Sequence, residues 1–110
     1  MFGITMGDPS GVGPEILLKA FSQGLLKHPV VAYGDYAILE HCNRMLGLGA
    51  RIRRVRRQGE LEEGTLGVRD AGLLRVEDLS IGRVSAASGR AARAYVVEAT
   101  RAALRGEIAA

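Results

Sequence analysis

Apolar positions along this chain recur with two periods. A compact apolar run over Phe2–Met6 predicts a first strand, and a continuous one over Val30–Tyr33 a short buried strand. Between them, Leu17, Phe21 and Leu25 share one side of a helical projection, flanked by Leu18 and Ala20. They predict a helix over Pro14–Lys27 that stops at His28-Pro29, because the residue before proline is disfavoured in helical geometry. A second helix is predicted from Tyr36 to Leu46, apolar at Ile38, Leu39, Cys42, Met45 and Leu46. Gly34-Asp35 ends the strand before it and offers a cap, and Gly47 is the expected stop. Arg51–Val55 predicts a third strand, Gln58–Asp70 a glycine-rich acidic loop or hairpin, and Leu73–Val76 a further strand. Ser85-Ala86-Ala87-Ser88-Gly89 then leads into a long helix over Arg90–Arg105, ended by Gly106. Ala91, Tyr95, Ala99 and Ala102 fall on one of its faces, and Arg90, Arg93, Arg101 and Arg105 on the other.

The alternation of strand and helix predicts an α/β fold, a largely parallel sheet flanked by helices. The last helix should cross over to another parallel strand, and only Ile108-Ala109-Ala110 remain to begin one. The sheet is therefore expected to be incomplete. Residues 1–110 read as a single α/β segment with no internal boundary.

Composition narrows the function classes. With 47% hydrophobic and 25% charged residues, the chain has the make-up of a soluble globular domain. No apolar run approaches membrane-spanning length, and the first residues lack the basic region and cleavage site of a signal peptide. Cys42 is the only cysteine, so no intrachain disulfide forms; a cytoplasmic setting fits. The net charge of +3 does not by itself imply nucleic acid. The densest basic run, Arg51 to Arg57, is offset at once by Glu60, Glu62 and Glu63, and no aromatic interleaves it to stack on bases. It reads as a solvated strand edge or an interface rather than a phosphate-binding run. The basic stripe of the last helix reads as a solvent face, with Glu98 placed to pair with Arg101.

The richest stretch is Gly7-Asp8-Pro9-Ser10-Gly11-Val12-Gly13-Pro14-Glu15, between the first strand and the first helix. Pro14 suits the first helical position and Glu15 the first turn, where a negative charge complements the helix dipole. Gly11-Val12-Gly13 supplies two glycines of a dinucleotide fingerprint, but Ile16 stands at the third, and Asp35 lies where a ribose-binding acid is expected. A second reading is a loop meeting a polar ligand with backbone amides and Asp8, an arrangement suited to hydroxyls, a ribose or a cation. A third is a tight turn with a well-made helix start. Ser85, Ser88 and Arg90 either hold an anion or, in the case of Ser88, simply cap the last helix. His28 and His41 form no local metal motif. Cys42, on an apolar helix face, reads as an inert core thiol, and no Ser/His/Asp or Cys/His arrangement is present.

Four stretches carry a family resemblance. Ile4-Thr5-Met6-Gly7-Asp8-Pro9-Ser10-Gly11-Val12-Gly13-Pro14-Glu15-Ile16 is similar to the N-terminal signature of the 4-hydroxythreonine-4-phosphate dehydrogenases. Tyr33-Gly34-Asp35, the run from Gly82 to Ala92, and Gly106-Glu107-Ile108-Ala109-Ala110 fit the same pattern in order and spacing. The resemblance implies a fold like that of isocitrate and isopropylmalate dehydrogenases. It implies oxidation of a phosphorylated hydroxy-amino acid with NAD or NADP, then decarboxylation, in pyridoxal phosphate synthesis by a cytoplasmic homodimer. Gly7, Asp8, Gly11 and Gly13 would line the cofactor cleft, and Ser88 and Arg90 would mark a substrate-facing helix start. The family's divalent-metal ligands are histidines downstream of this region, contributed by both subunits. No catalytic or metal-binding residue is therefore assigned to this chain, and the 110 residues alone are expected to be inactive. Another phosphorylated four-carbon hydroxy acid as substrate, and a non-catalytic nucleotide- or partner-binding module, are the alternatives.

Overall fold

In a computed structural model, residues 2–9, 11–26, 30–56, 64–78 and 86–108 are described. They form β1 (Phe2–Thr5), α1 (Gly13–Ser22), β2 (Val30–Gly34), α2 (Tyr36–Leu46), β3 (Ile52–Arg54), β4 (Leu66–Asp70), a 3-10 turn (Val76–Asp78) and α3 (Ala86–Leu104). The four described strands make one sheet in the order β1-β2-β4-β3, with every pairing parallel. The expected parallel α/β architecture is present.

Register fixes what each face carries. Ile4 pairs with Ala32 and Ala32 with Val68; one residue on, Thr5 pairs with Tyr33 and Tyr33 with Arg69. Side chains alternate along a strand, so Ile4, Ala32 and Val68 share one face and Thr5, Tyr33 and Arg69 the other. The connections β1–β2 and β2–β3 step the same way across the sheet, and right-handed crossovers then place α1 and α2 together on one face. They pack on each other and bury Leu17, Leu18, Ile38 and Leu39. The third helix lies against β1 and β2 on the Tyr33 face. Its buried residues Ala91, Ala99 and Ala102 are small, which lets the helix approach the strands closely. The four-residue spacing that predicted this face is borne out, and Arg90, Arg93, Arg101 and Arg105 are exposed as expected.

Several expectations need correction. Leu66–Asp70 is not part of a loop or hairpin; it is a central strand, paired on both sides. Only Leu66 and Val68 mark it as apolar, and Gly67 between them adds no side chain, so its signal is weak until two neighbours claim its backbone. Conversely, Leu73–Val76 is not a strand: residues 71–75 are irregular and the 3-10 turn follows. The first helix ends at Ser22 rather than Lys27. Gly24, at φ 72°, donates to Phe21 O while Leu25 donates to Ala20 O, the hydrogen-bond pattern of a left-handed helix stop. His28-Pro29 lies outside the described residues. The last helix begins four residues earlier than expected, at Ala86. On α2, Ile38 and Leu39 are buried, whereas Met45 (73% exposed) and Leu46 face outward. The edge position expected for the arginine run holds for β3, where Arg53 and Arg54 are exposed.

Candidate functional site

Because all strands run the same way, their C-terminal ends share one edge of the sheet. Met6–Pro9, Gly11, Val12, Asp35 and Asp70–Leu74 gather there, where open α/β sheets place ligand sites. The glycine loop is tied down at three points: Met6, Pro9 and Pro14 are buried. Met6 N–H donates to Tyr33 O (3.1 Å), and Gly11 N–H closes a turn on Asp8 O (2.9 Å). Gly7 takes φ 72°, a conformation that side chains rarely adopt. At Gly13 the reason for glycine is space: a Cβ there would stand 2.1 Å from Met6 O. Between these anchors Asp8, Gly11 and Val12 are exposed. Glu15 sits in the first turn of α1 and pairs with Lys19 at 2.7 Å. Ser10 lies outside the described residues.

Asp35 has a different role from the ribose-binding acid that its position suggested. It is 1% exposed. One carboxylate oxygen accepts from Leu73 N–H (2.7 Å) and Leu74 N–H (3.2 Å), and the other accepts from the Tyr95 hydroxyl. Its side chain is thereby taken up, and makes no capping bond to α2. Asp70 supplies that cap from the neighbouring strand: Tyr36 N–H donates to its Oδ1 at 3.0 Å, as does Gly72 N–H at 3.1 Å, while Arg54 Nε donates to Oδ2 at 3.0 Å. The Arg54 guanidinium also lies 4.1 Å from the Tyr36 ring centroid. Burial alone would raise the Asp70 carboxyl, but the three donors together hold it below the ordinary carboxylate range. Burial, the bond to Asp35 and the charges of Asp35, Asp70 and Asp8 push the Tyr95 phenol far up. The acidic loop tip and the two strand-end aspartates thus act on one buried hydroxyl.

Two cavities open along this edge. One, of about 360 Å³, lies between β2, β4 and α3; the other, of about 400 Å³, is lined by Asp35, Arg54, Asp70, Gly72, Leu74 and Arg75. Ser88 is not a cap: it is the third residue inside α3 and fully buried, while Arg90, two positions on, is exposed. Gly82–Ser85 lies outside the described residues. Cys42 is half-buried, and burial pushes its thiol up. His41 is half-buried, and His28 is outside the described residues. Among the described residues no group of three or more His, Cys, Asp or Glu is placed to hold a metal, and no helix is long and apolar enough to cross a membrane. Glu98 and Arg101 pair at 3.6 Å. Sequence reasoning missed the Asp35–Tyr95 bond and the cap from Asp70. The one available signal was a lone phenol on an otherwise alanine-rich helix face.

The described residues form an all-parallel sheet with three helices and a glycine loop at its C-terminal edge, an α/β architecture that solved dehydrogenase structures share over this part of their fold. The chain is 39% identical over 107 residues to 4-hydroxythreonine-4-phosphate dehydrogenase of Beijerinckia indica, covering 96% of the chain and 32% of that enzyme. It is 39% identical over 111 residues to D-threonate 4-phosphate dehydrogenase of Salmonella typhimurium, covering 97% and 34%. A crystal structure of a 4-hydroxythreonine-4-phosphate dehydrogenase from Burkholderia phymatum superposes with a TM-score of 0.87 at 36% identity, over 97% of this chain and 33% of that one. The chain therefore spans about a third of the length of the relatives it matches. No family model matches it.

Proposed function

We propose that this chain is the N-terminal, cleft-lining part of an NAD(P)-dependent oxidoreductase of phosphorylated hydroxy acids, with 4-phosphohydroxy-L-threonine as substrate and decarboxylation to follow. The observation that carries this reading is the glycine loop. It lies at the C-terminal edge of a parallel sheet, anchored by buried Met6, Pro9 and Pro14, with Asp8 and Gly11 turned to solvent. The similarity to named dehydrogenases along almost the whole chain supports it.

In this reading Gly7, Gly11 and Gly13 let a cofactor approach the main chain, and Asp8 accepts hydroxyl hydrogens of its ribose. Bound NAD(P) would supply the hydride acceptor. Ser88 and Arg90 stand as substrate-side candidates, although only Arg90 is at the surface. The described residues do not fit a divalent metal, so no step here is routed through one. A metal held by downstream histidines, a cytoplasmic homodimer and a place in pyridoxal phosphate synthesis belong to the same proposal. A second reading, oxidation of D-threonate 4-phosphate, is favoured by the equal identity to an enzyme of that name.

Hydrogen exchange of the purified chain with and without NAD tests the loop. Amides of Gly7–Glu15 should gain protection, and Asp8→Ala should abolish the gain; unchanged exchange at saturating NAD removes the cofactor role. The chain alone should not reduce NAD with either substrate. An enzyme of the relatives' full length should prefer one of the two, by kcat/KM.

A further inference from the structure

The cavity between β2, β4 and α3 contains a pair of groups that the dehydrogenase reading does not use. Tyr33 and Arg69 are register partners on adjacent parallel strands, so their side chains leave the sheet side by side on the α3 face. Both line the cavity, and Ala94, Tyr95 and Glu98 of α3 form its other wall. Tyr33 is 97% buried, at 3% exposure. A Cβ at Gly3 would stand 3.1 Å from its ring and 2.2 Å from Ile108, so glycine leaves room for both. Among the described residues its hydroxyl has no hydrogen-bond partner, yet no fully buried side-chain polar atom there lacks one. The hydroxyl is therefore not fully enclosed, and Tyr33 lines the cavity.

Charge around this space is unevenly cancelled. Asp70 is paired with Arg54, Glu98 with Arg101, and Glu107 with Arg105. Arg69 forms none of these close ion pairs, although its charge also acts on the Glu107 carboxylate. One end of its guanidinium is fixed, with Nη1 donating to Arg56 O at 3.0 Å, and its remaining N–H groups are left for another acceptor. Burial raises the Tyr33 phenol, opposed by the Arg69 charge, so Tyr33 stays a donor through the neutral range. Two fixed donors, one cationic, thus face a space of about 360 Å³ whose other charges are already paired. Ala71, Leu73 and Ala94 add apolar wall.

We infer that this cavity binds a small organic carboxylate, its oxygens held by the Arg69 guanidinium and the Tyr33 hydroxyl and its short apolar tail against Leu73 and Ala94. A planar carboxylate matches the fork of a guanidinium. The inference does not depend on the dehydrogenase reading, because neither donor belongs to the glycine loop.

Titration of the 110-residue chain with butyrate, followed by amide NMR, tests it, with butyramide as the uncharged isostere. Saturable shifts are expected at Gly34, Arg69, Ala71 and Ala94 with butyrate and not with butyramide. Arg69→Gln and Tyr33→Phe should each weaken binding about tenfold. The amide spectrum without ligand serves as the folding control, and Arg69→Lys gives a second variant that keeps the charge and loses the fork. Absence of saturable shifts, equal shifts with butyramide, or undiminished binding by folded Arg69→Gln would overturn the assignment.

Discussion

The Tyr95 hydroxyl on α3 donates to the carboxylate of Asp35 at the end of β2, sixty residues away along the chain. Both side chains are 1% exposed. The same carboxylate receives two backbone N–H groups from Leu73 and Leu74, so one acid ties together a strand end, a helix and an irregular segment. Tyr95→Phe removes one charge-assisted bond and leaves the acid partly unsatisfied, at a cost of about 1–3 kcal/mol. Asp35→Ala strands three donors and should cost more. Urea denaturation of both variants checks the ranking; a Tyr95→Phe protein as stable as the parent would remove the tie.

Glycine is required at Gly13 for a different reason than at Gly24. A Cβ at Gly13 meets the Met6 carbonyl at 2.1 Å, so Gly13→Ala must displace the loop backbone. At Gly24 there is open space, and only the φ of 72° penalises a side chain. Gly24→Ala should cost about 1–2 kcal/mol. Gly13→Ala should cost more and shift the amide resonances of Met6–Val12. Thermal melts and amide spectra of the two variants separate these effects.

Alkali should unfold the chain through its buried phenols. The folded Tyr33 and Tyr95 hold their protons above the ordinary tyrosine range, chiefly because burial disfavours the phenolate. Unfolded tyrosine ionises near pH ~10. Their contribution to stability is therefore intact below that pH and lost as pH rises through the folded values. Stability against urea should be flat to about pH 10 and fall above it. In Tyr95→Phe the fall should be shallower, which tyrosinate absorbance during the same titration would record.

Asp70 works in the opposite direction. Its carboxyl is held low by Tyr36 N–H, Arg54 and Gly72 N–H, against the effect of burial. That contribution is present above the ordinary carboxylate range and is lost as pH falls through the depressed value. The exposed Arg54 partner adds little on its own, about 0.2–1 kcal/mol. The helix cap is the larger share, about 1 kcal/mol. Asp70→Asn should thus be less stable than the parent at neutral pH, with the gap closing in acid. A gap that persists in strong acid would mean that the charge plays no part.

The sequence by itself determined the parts whose residues share one local rhythm. The first two strands were legible as apolar runs, and the second helix to the residue and the inward face of the third were legible because burial of one face imposes a period that local order reveals. It also marked the glycine loop, since Gly7 and Gly13 answer to constraints within a few residues of themselves. Tertiary structure decided the rest. The strand at Leu66–Asp70 exists because two neighbours take up its backbone hydrogen bonds. Leu73 and Leu74 look like strand residues, but they give their N–H groups to Asp35 instead. Asp35, which read as a ligand-facing acid, became an internal anchor because Tyr95 and residues 73–74 arrive at it from distant points of the chain. Such pairings have no period, so they take shape only once the sheet has set the order of its strands.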